Sequence, residues 1–168
     1  MMLSIDPGLR ACGVALWSDT VDGELVWARA LRGPKDGRGP ALWAAYGRLV
    51  CDVVEDVDPW GHLVIETMKQ YVNGKADPDD LLELQGVSGA IVGVLSSRGW
   101  SVEGVLARDW NGQVPSEVRR ARTQAWVESK GWTSRVDVRT TQRYQQDVWS
   151  AVGIGRWATS GPAGRRSR

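Results

Sequence analysis

The hydrophobic period changes once along the chain, and that change limits the fold more than any other feature. In the first 32 residues the apolar positions come in three short runs, 2–6, 12–17 and 24–31. Asp6-Pro7-Gly8 ends the first run, and the polar stretch S-D-T-V-D-G-E separates the second from the third. Short apolar runs bounded by turn residues read as strands, and close connections make them an antiparallel meander. From Ala41 the spacing becomes helical. Leu42, Ala45, Tyr46, Leu49, Val50, Val53, Val54 and Val57 recur at i, i+3, i+4, i+7 and onward, a stripe of four turns that Asp58-Pro59 ends.

Strand and helix signals then alternate. Residues 62–65 (H-L-V-I) read as a buried strand that delivers Glu66 at its end, and residues 69–78 as a polar loop. Asp77-Pro78 starts a helix to about Arg98, with Leu81, Leu84, Val87, Ala90, Ile91, Val94 and Leu95 facing inward. Its glycines Gly86, Gly89 and Gly93 sit at small-residue spacing, as expected where a helix packs closely on a sheet. Residues 101–107 form a fifth strand, 108–115 a loop, 115–130 a helix, 133–139 an irregular piece and 140–158 the last helix. The expectation is one α/β three-layer domain over residues 1–158, its mixed five-stranded sheet flanked by helices, with a flexible basic tail at 159–168.

A chain of 168 residues is one domain's length. With 42% hydrophobic and 24% charged residues it is not a disordered sequence. No apolar run, residues 90–95 included, comes near the roughly 18–20 residues of a membrane span. No secretory signal opens the chain, and Cys12 and Cys51 lie at no metal-ligand spacing, so they read as small buried fillers in a reducing compartment. A cytoplasmic location is expected. Ten tryptophans and no phenylalanine point to Trp filling the core where Phe usually does. The single histidine excludes a multi-His metal site and leaves carboxylates to do any chemistry.

Charge is uneven. Residues 1–84 carry 8 Lys/Arg against 14 Asp/Glu, net −6, and residues 85–168 carry 13 against 6, net +7. Such a split either cancels in space or makes a basic face that attracts phosphates.

Three acids stand where a purely structural role explains them poorly. Asp6 and Glu66 each close an apolar strand, and strand ends are where α/β sheets bind ligands. Asp147 shares a helical stripe with Tyr144 and Ala151, facing the sheet, where an acid is costly unless paired or bound to a cation. Carboxylates without His or Cys partners suit Mg²⁺ or Mn²⁺ better than Zn²⁺. Taken singly, each acid is equally readable as a turn residue, a solvated strand end or a wet helix edge.

The segment L-S-I-D-P-G-L-R-A-C-G-V-A-L, residues 3–16, resembles the opening of the RuvC family of Holliday-junction resolvases, which has the RNase H-like fold. L-V-I-E at 63–66 is similar to that family's second acidic motif, and D-V-W-S-A-V-G-I-G at 147–155 to its closing helix. D-W-N-G-Q-V-P-S-E-V-R-R-A-R at 109–122 resembles phage-type members. The resemblance implies a metal-dependent endonuclease that cuts branched DNA such as four-way junctions, leaving 5′-phosphate and 3′-hydroxyl ends. Two Mg²⁺ ions, with Mn²⁺ as substitute, would lie roughly 3.5–4 Å apart, Asp6 bridging them and Glu66 and Asp147 each anchoring one. The family carries a second acid or a His-Asp pair on the last helix. Here that slot is Ser150, with Gln146 and Asp137 as the other candidates to serve the site.

Lys69, Tyr71 and Lys75, in the loop after Glu66, are expected to meet the branch, Tyr71 by stacking and the lysines on phosphates. Arg119, Arg120 and Arg122 are expected to grip the backbone, and Arg165, Arg166 and Arg168 to add attraction. A two-fold junction implies a symmetric homodimer, with the Gly-rich helix from Asp79 to Arg98 as its face. Three alternatives stand beside this reading. A non-cleaving junction-binding protein is favoured by Ser150, and a relative could cut RNA or RNA–DNA hybrid through the same acids. An actin-like ATPase would need two such domains.

Overall fold

Leu3 and Ile5 are buried on one face of the first strand and Ser4 on the other, so period-two alternation places this strand between two helical layers. The computed structural model describes residues 1–19, 23–57, 60–67, 77–112, 114–139 and 142–160. In chain order the elements are β1 (Met2–Asp6), β2 (Ala11–Trp17), β3 (Leu25–Arg32), α1 (Gly39–Val53), β4 (His62–Thr67), α2 (Pro78–Ser97), β5 (Ser101–Leu106), α3 (Ala107–Asn111), α4 (Ser116–Ser129) and α5 (Gln142–Thr159).

The five strands form one mixed sheet in the order β3-β2-β1-β4-β5. β1, β2 and β3 pair antiparallel, while β4 runs parallel to both β1 and β5. The expected three-layer architecture is therefore observed. On one face Leu3, Ile5, Val14, Leu63 and Ile65 pack against Leu42, Tyr46 and Val50 of α1 and Val87, Ile91 and Leu95 of α2. On the other, Ala15, Trp17, Leu25 and Ala28 pack against Val127 of α4 and Val148, Ala151 and Val152 of α5. Each such aliphatic side chain contributes roughly 1.5–3 kcal/mol when fully buried.

Ser4, the polar residue on the α5 face of β1, is fully buried and fully used. Its hydroxyl donates to the Ala151 carbonyl at 2.8 Å and accepts from Trp17 Nε1 at 2.8 Å, tying α5 to β1 and β2. Trp17, Trp100, Trp110, Trp132 and Trp149 are buried, as expected of Trp standing in for Phe, whereas Trp60 is 80% exposed. Cys12 is buried and Cys51 half-buried, both are free, and burial pushes the Cys12 thiol up to about 12.

Several sequence expectations are corrected. The helical stripe outruns α1: Val54 caps it and Val57 follows in a turn, yet both still pack on the core. The segment expected as a loop from residue 108 contains α3, because the Asp109 carboxylate accepts from the Leu106 amide at 3.1 Å and caps a short helical turn. On α2, Gly86 fits against Trp43 of α1 and not against the sheet, while Gly89 and Gly93 face open space. The capping of α2 is as expected, with Pro78 in the first turn and the Asp77 side chain accepting from the Asp79 amide at 2.9 Å. Residues 161–168, most of the expected tail, lie outside the described residues. No described helix is long and apolar enough to cross a membrane.

Candidate metal centre and nucleic-acid interface

Strand parity and register bring Asp6 and Glu66 together. Asp6 follows Ser4 by two residues and Glu66 follows Val64 by two, so both side chains leave the sheet on the α5 side. β1 and β4 are parallel neighbours with Ser4 opposite Val64 and Ile5 opposite Ile65, and the next step sets Asp6 beside Glu66. Glu66 lies within β4, one residue before its end, and does not follow it.

The third acid is delivered by a glycine. Gly13 is the β2 partner of Asp6, and a Cβ on Gly13 would stand 1.8 Å from the Asp147 carbonyl oxygen. Only a residue without a side chain lets α5 cross β2 this closely. The helix backbone rests on the sheet next to Asp6, and a Cβ on Gly8 would lie 3.8 Å from Asp147 Oδ2. Gly8 is itself required, because its Cβ would meet the Ala11 carbonyl oxygen at 2.2 Å. The Asp-Pro-Gly turn and the small residue of β2 thus make the space that Asp147 enters.

The electrostatics carry the mark of this crowding. Burial, then the nearby Glu66 and Asp147 charges, hold the Asp6 carboxyl well above the usual carboxylate range, although a hydrogen bond from Ser150 and the Arg119 charge oppose this. Burial also raises Glu66, against a hydrogen bond from Trp110 and the Arg119 charge. Ser150 is buried and addresses Asp6, so the slot is filled by a neutral donor.

Among the described residues, no three carboxylate, imidazole or thiol groups are closed into a ready-made ligand set. Part of the reason is visible: Trp110 Nε1 donates to Glu66 Oε2 at 2.8 Å and holds that carboxylate toward α3. The donor chemistry still fits a hard divalent cation. Two of the acids are desolvated and raised in proton affinity, and Asp6 feels both of the others, so the Arg119 charge does not offset the burial and crowding of the acids.

The other candidates separate. Asp137 does not serve the site: it binds Arg139 through both carboxylate oxygens, at 3.0 and 3.1 Å, and that pairing lowers it to about 2. Gln146 is exposed on α5. Lys69, Tyr71 and Lys75 lie outside the described residues, as do Arg165, Arg166 and Arg168. Arg119 and Arg122 line a cleft of about 760 Å³ between α3, α4 and α5, whereas Arg120 lies near Glu117 and outside that cleft. Arg119 sits 4.7 Å over the Trp110 ring. Sequence reasoning missed Trp110, Arg108 and Arg156. The first two lie in the segment read as a loop, although D-W-N-G-Q-V-P was already singled out there.

No protein-family model matches the chain, and no curated protein matches it by sequence. Solved structures do match by fold. RuvC from Thermus thermophilus, determined in complex with a Holliday junction substrate, aligns with a TM-score of 0.65 at 12% identity, covering 95% of this chain and 96% of that one. The Fowlpox virus resolvase, solved with substrate Holliday junction DNA, gives 0.58 at 12% identity, over 95% and 99%. The yeast mitochondrial Holliday junction resolvase gives 0.69 at 8% identity, over 98% and 80%. The chain has the RuvC-like form of the RNase H fold.

Proposed function

We propose that this protein is a metal-dependent endodeoxyribonuclease that cleaves branched DNA such as four-way junctions, leaving 5′-phosphate and 3′-hydroxyl ends. One observation supports this above the rest. Asp6 and Glu66, on adjacent parallel strands, face Asp147 on the helix laid across Gly13. That is a carboxylate trio at the strand ends of a fold shared with junction resolvases.

Asp6, Glu66 and Asp147 would hold Mg²⁺ or Mn²⁺, with the Ser150 hydroxyl directing the Asp6 carboxylate. Bound there, divalent metal supplies Lewis-acid stabilisation of the phosphate charge and acidifies the attacking water. The chain's own residues do the rest. Trp110 orients Glu66, Arg119 lends positive charge beside both Glu66 and Asp6, and Arg119, Arg120 and Arg122 hold backbone phosphates. Lys69, Tyr71 and Lys75 are proposed to meet the branch, and the tail arginines to add non-specific attraction to a single nuclease domain of residues 1–158. A homodimer matched to the two-fold junction would use the α2 face, where Gly89 and Gly93 face open space and Leu82 is 63% exposed. A cytoplasmic location is part of the proposal, since the free Cys12 and Cys51 suit a reducing compartment.

Incubation with a synthetic four-way junction in Mg²⁺ and in Mn²⁺ tests the proposal. Nicks near the branch, with ligatable 5′-phosphate ends, are expected. Binding without nicking in either metal would make the protein a junction-binding module, as the neutral Ser150 favours. Preferential cutting of an RNA–DNA hybrid would make it a ribonuclease.

A further inference from the structure

The cleft between α3, α4 and α5 shares Trp110 with the candidate metal centre: Trp110 lines the cleft and donates to Glu66. Arg108, Arg119, Arg122 and Arg156 line it together with Trp110 and Trp126. Arg119 sits 4.7 Å over the Trp110 ring and Arg156 4.8 Å over the Trp126 ring. Each guanidinium is held against the face of an indole, which fixes where its charge stands in the cleft. The one acid among the described lining residues, Asp109, is engaged with the Leu106 amide at 3.1 Å and with Arg108 at 3.6 Å. Four arginines against one aspartate make the described lining cationic, and Trp110, Trp126, Ala125 and Gly153 give it an apolar floor.

Size decides what enters. About 760 Å³ falls in the range of nucleotide-sized pockets, roughly 300–1,000 Å³, and is too small for a duplex. A phosphate on arginines with a flat base on an apolar wall is the chemistry by which single strands are held. We propose that this cleft binds an unpaired segment of a DNA strand, phosphates on Arg119, Arg122 and Arg156 and base against the cleft wall. It is a second nucleic-acid site, linked to the carboxylate trio through Trp110. The inference rests on the branched-DNA reading for the source of that strand: an open branch exposes unpaired nucleotides and a linear duplex does not.

Binding of fluorescently labelled oligo-dT and of a blunt duplex to the full chain, measured by anisotropy without divalent metal, tests it. Arg156→Ala, at a cleft position outside the backbone grip, should weaken oligo-dT binding about tenfold, the size of a single base or phosphate interaction, and leave duplex binding unchanged. Arg108→Ala, at an exposed lining position, should show part of the same selective loss and decides the matter if Arg156→Ala does not fold. Equal losses on oligo-dT and duplex, or no loss on oligo-dT, would overturn the proposal. Thymidine monophosphate competing as well as oligo-dT would also overturn it, in favour of a free-nucleotide site. Wild-type cleavage of a four-way junction is measured separately: its absence would sink the nuclease reading while leaving the binding result standing.

Discussion

The indole Nε1 of Trp110 donates to Glu66 Oε2 across 2.8 Å, joining the short helix α3 to the candidate metal centre on β4. Trp110 is itself buried, and a Cβ on Gly153 would strike its ring at 2.7 Å, so α5 fixes the indole from behind. The hydrogen bond favours the charged form of Glu66. Trp110→Phe keeps most of the ring and removes the donor. It should cost about 1–3 kcal/mol of stability at neutral pH, as for a hydrogen bond to a charged group. It should also move the acidic limb of any cleavage–pH profile to higher pH. Thermal melts and single-turnover cleavage across pH check both, and the stability loss should shrink in a Glu66→Ala background.

Asp6→Asn should abolish cleavage while keeping or tightening junction binding, because it removes negative charge near phosphate. Its effect on stability has a definite sign. The folded protein raises Asp6 above its ordinary pKa, so between that value and the raised one it binds more protons than the unfolded chain. The stability of metal-free protein therefore falls as pH rises through this window and levels off above it. Asp6→Asn should flatten the fall and raise Tm at neutral pH. A lower Tm at neutral pH would mean that Asp6 is a stabilising ion-pair partner and not a crowded acid.

Mg²⁺ should act in the opposite direction to that repulsion. At 100 times its dissociation constant it should stabilise the folded protein by about 2.7 kcal/mol, seen as a rise in Tm. Ser150→Asp adds a fourth acid beside Asp6, so the metal-free protein should be less stable and the rise on adding Mg²⁺ larger, with cleavage preserved or increased. Loss of folding in both states would assign Ser150 to packing alone.

Gly13→Ala tests how Asp147 is positioned. Its Cβ would stand 1.8 Å from the Asp147 carbonyl oxygen, which belongs to the helix backbone and cannot rotate aside. The variant should lose about 1–3 kcal/mol or more, the range for overpacked cores, and the Mg²⁺-induced rise in Tm should shrink with it. An unchanged Mg²⁺ response would mean that α5 placement does not set the site.

Most of this architecture was legible in the chain because it is local. The change of period at Ala41, the Asp6-Pro7-Gly8 stop and the Asp77-Pro78 start each state a physical rule within a few residues. Asp6 and Glu66 were legible as strand-end acids, and period two then puts them on one face. Trp110 was not legible, since its partner Glu66 is 44 residues away and the α3 turn rests on one Asp109 side chain. Nor was the role of Gly13, which is visible only once α5 is laid across β2. Gly89 and Gly93 misled because their spacing is the same whether a helix packs on a sheet or faces open space.

Arg119→Ala with Arg120→Ala should weaken junction binding and lower the slope of log K against log salt by about 0.9 for each phosphate no longer neutralised. Fluorescence anisotropy titrations over a range of salt concentrations give that slope. An unchanged slope would mean that neither arginine contacts phosphate.

Anomalous diffraction from a crystal soaked in Mn²⁺ locates the metal outright. Mn²⁺ density contacted by carboxylate oxygens of Asp6, Glu66 and Asp147 is expected, with Glu66 reaching it from beside Trp110. Density elsewhere, or at only one of the three acids, would contradict a shared metal centre.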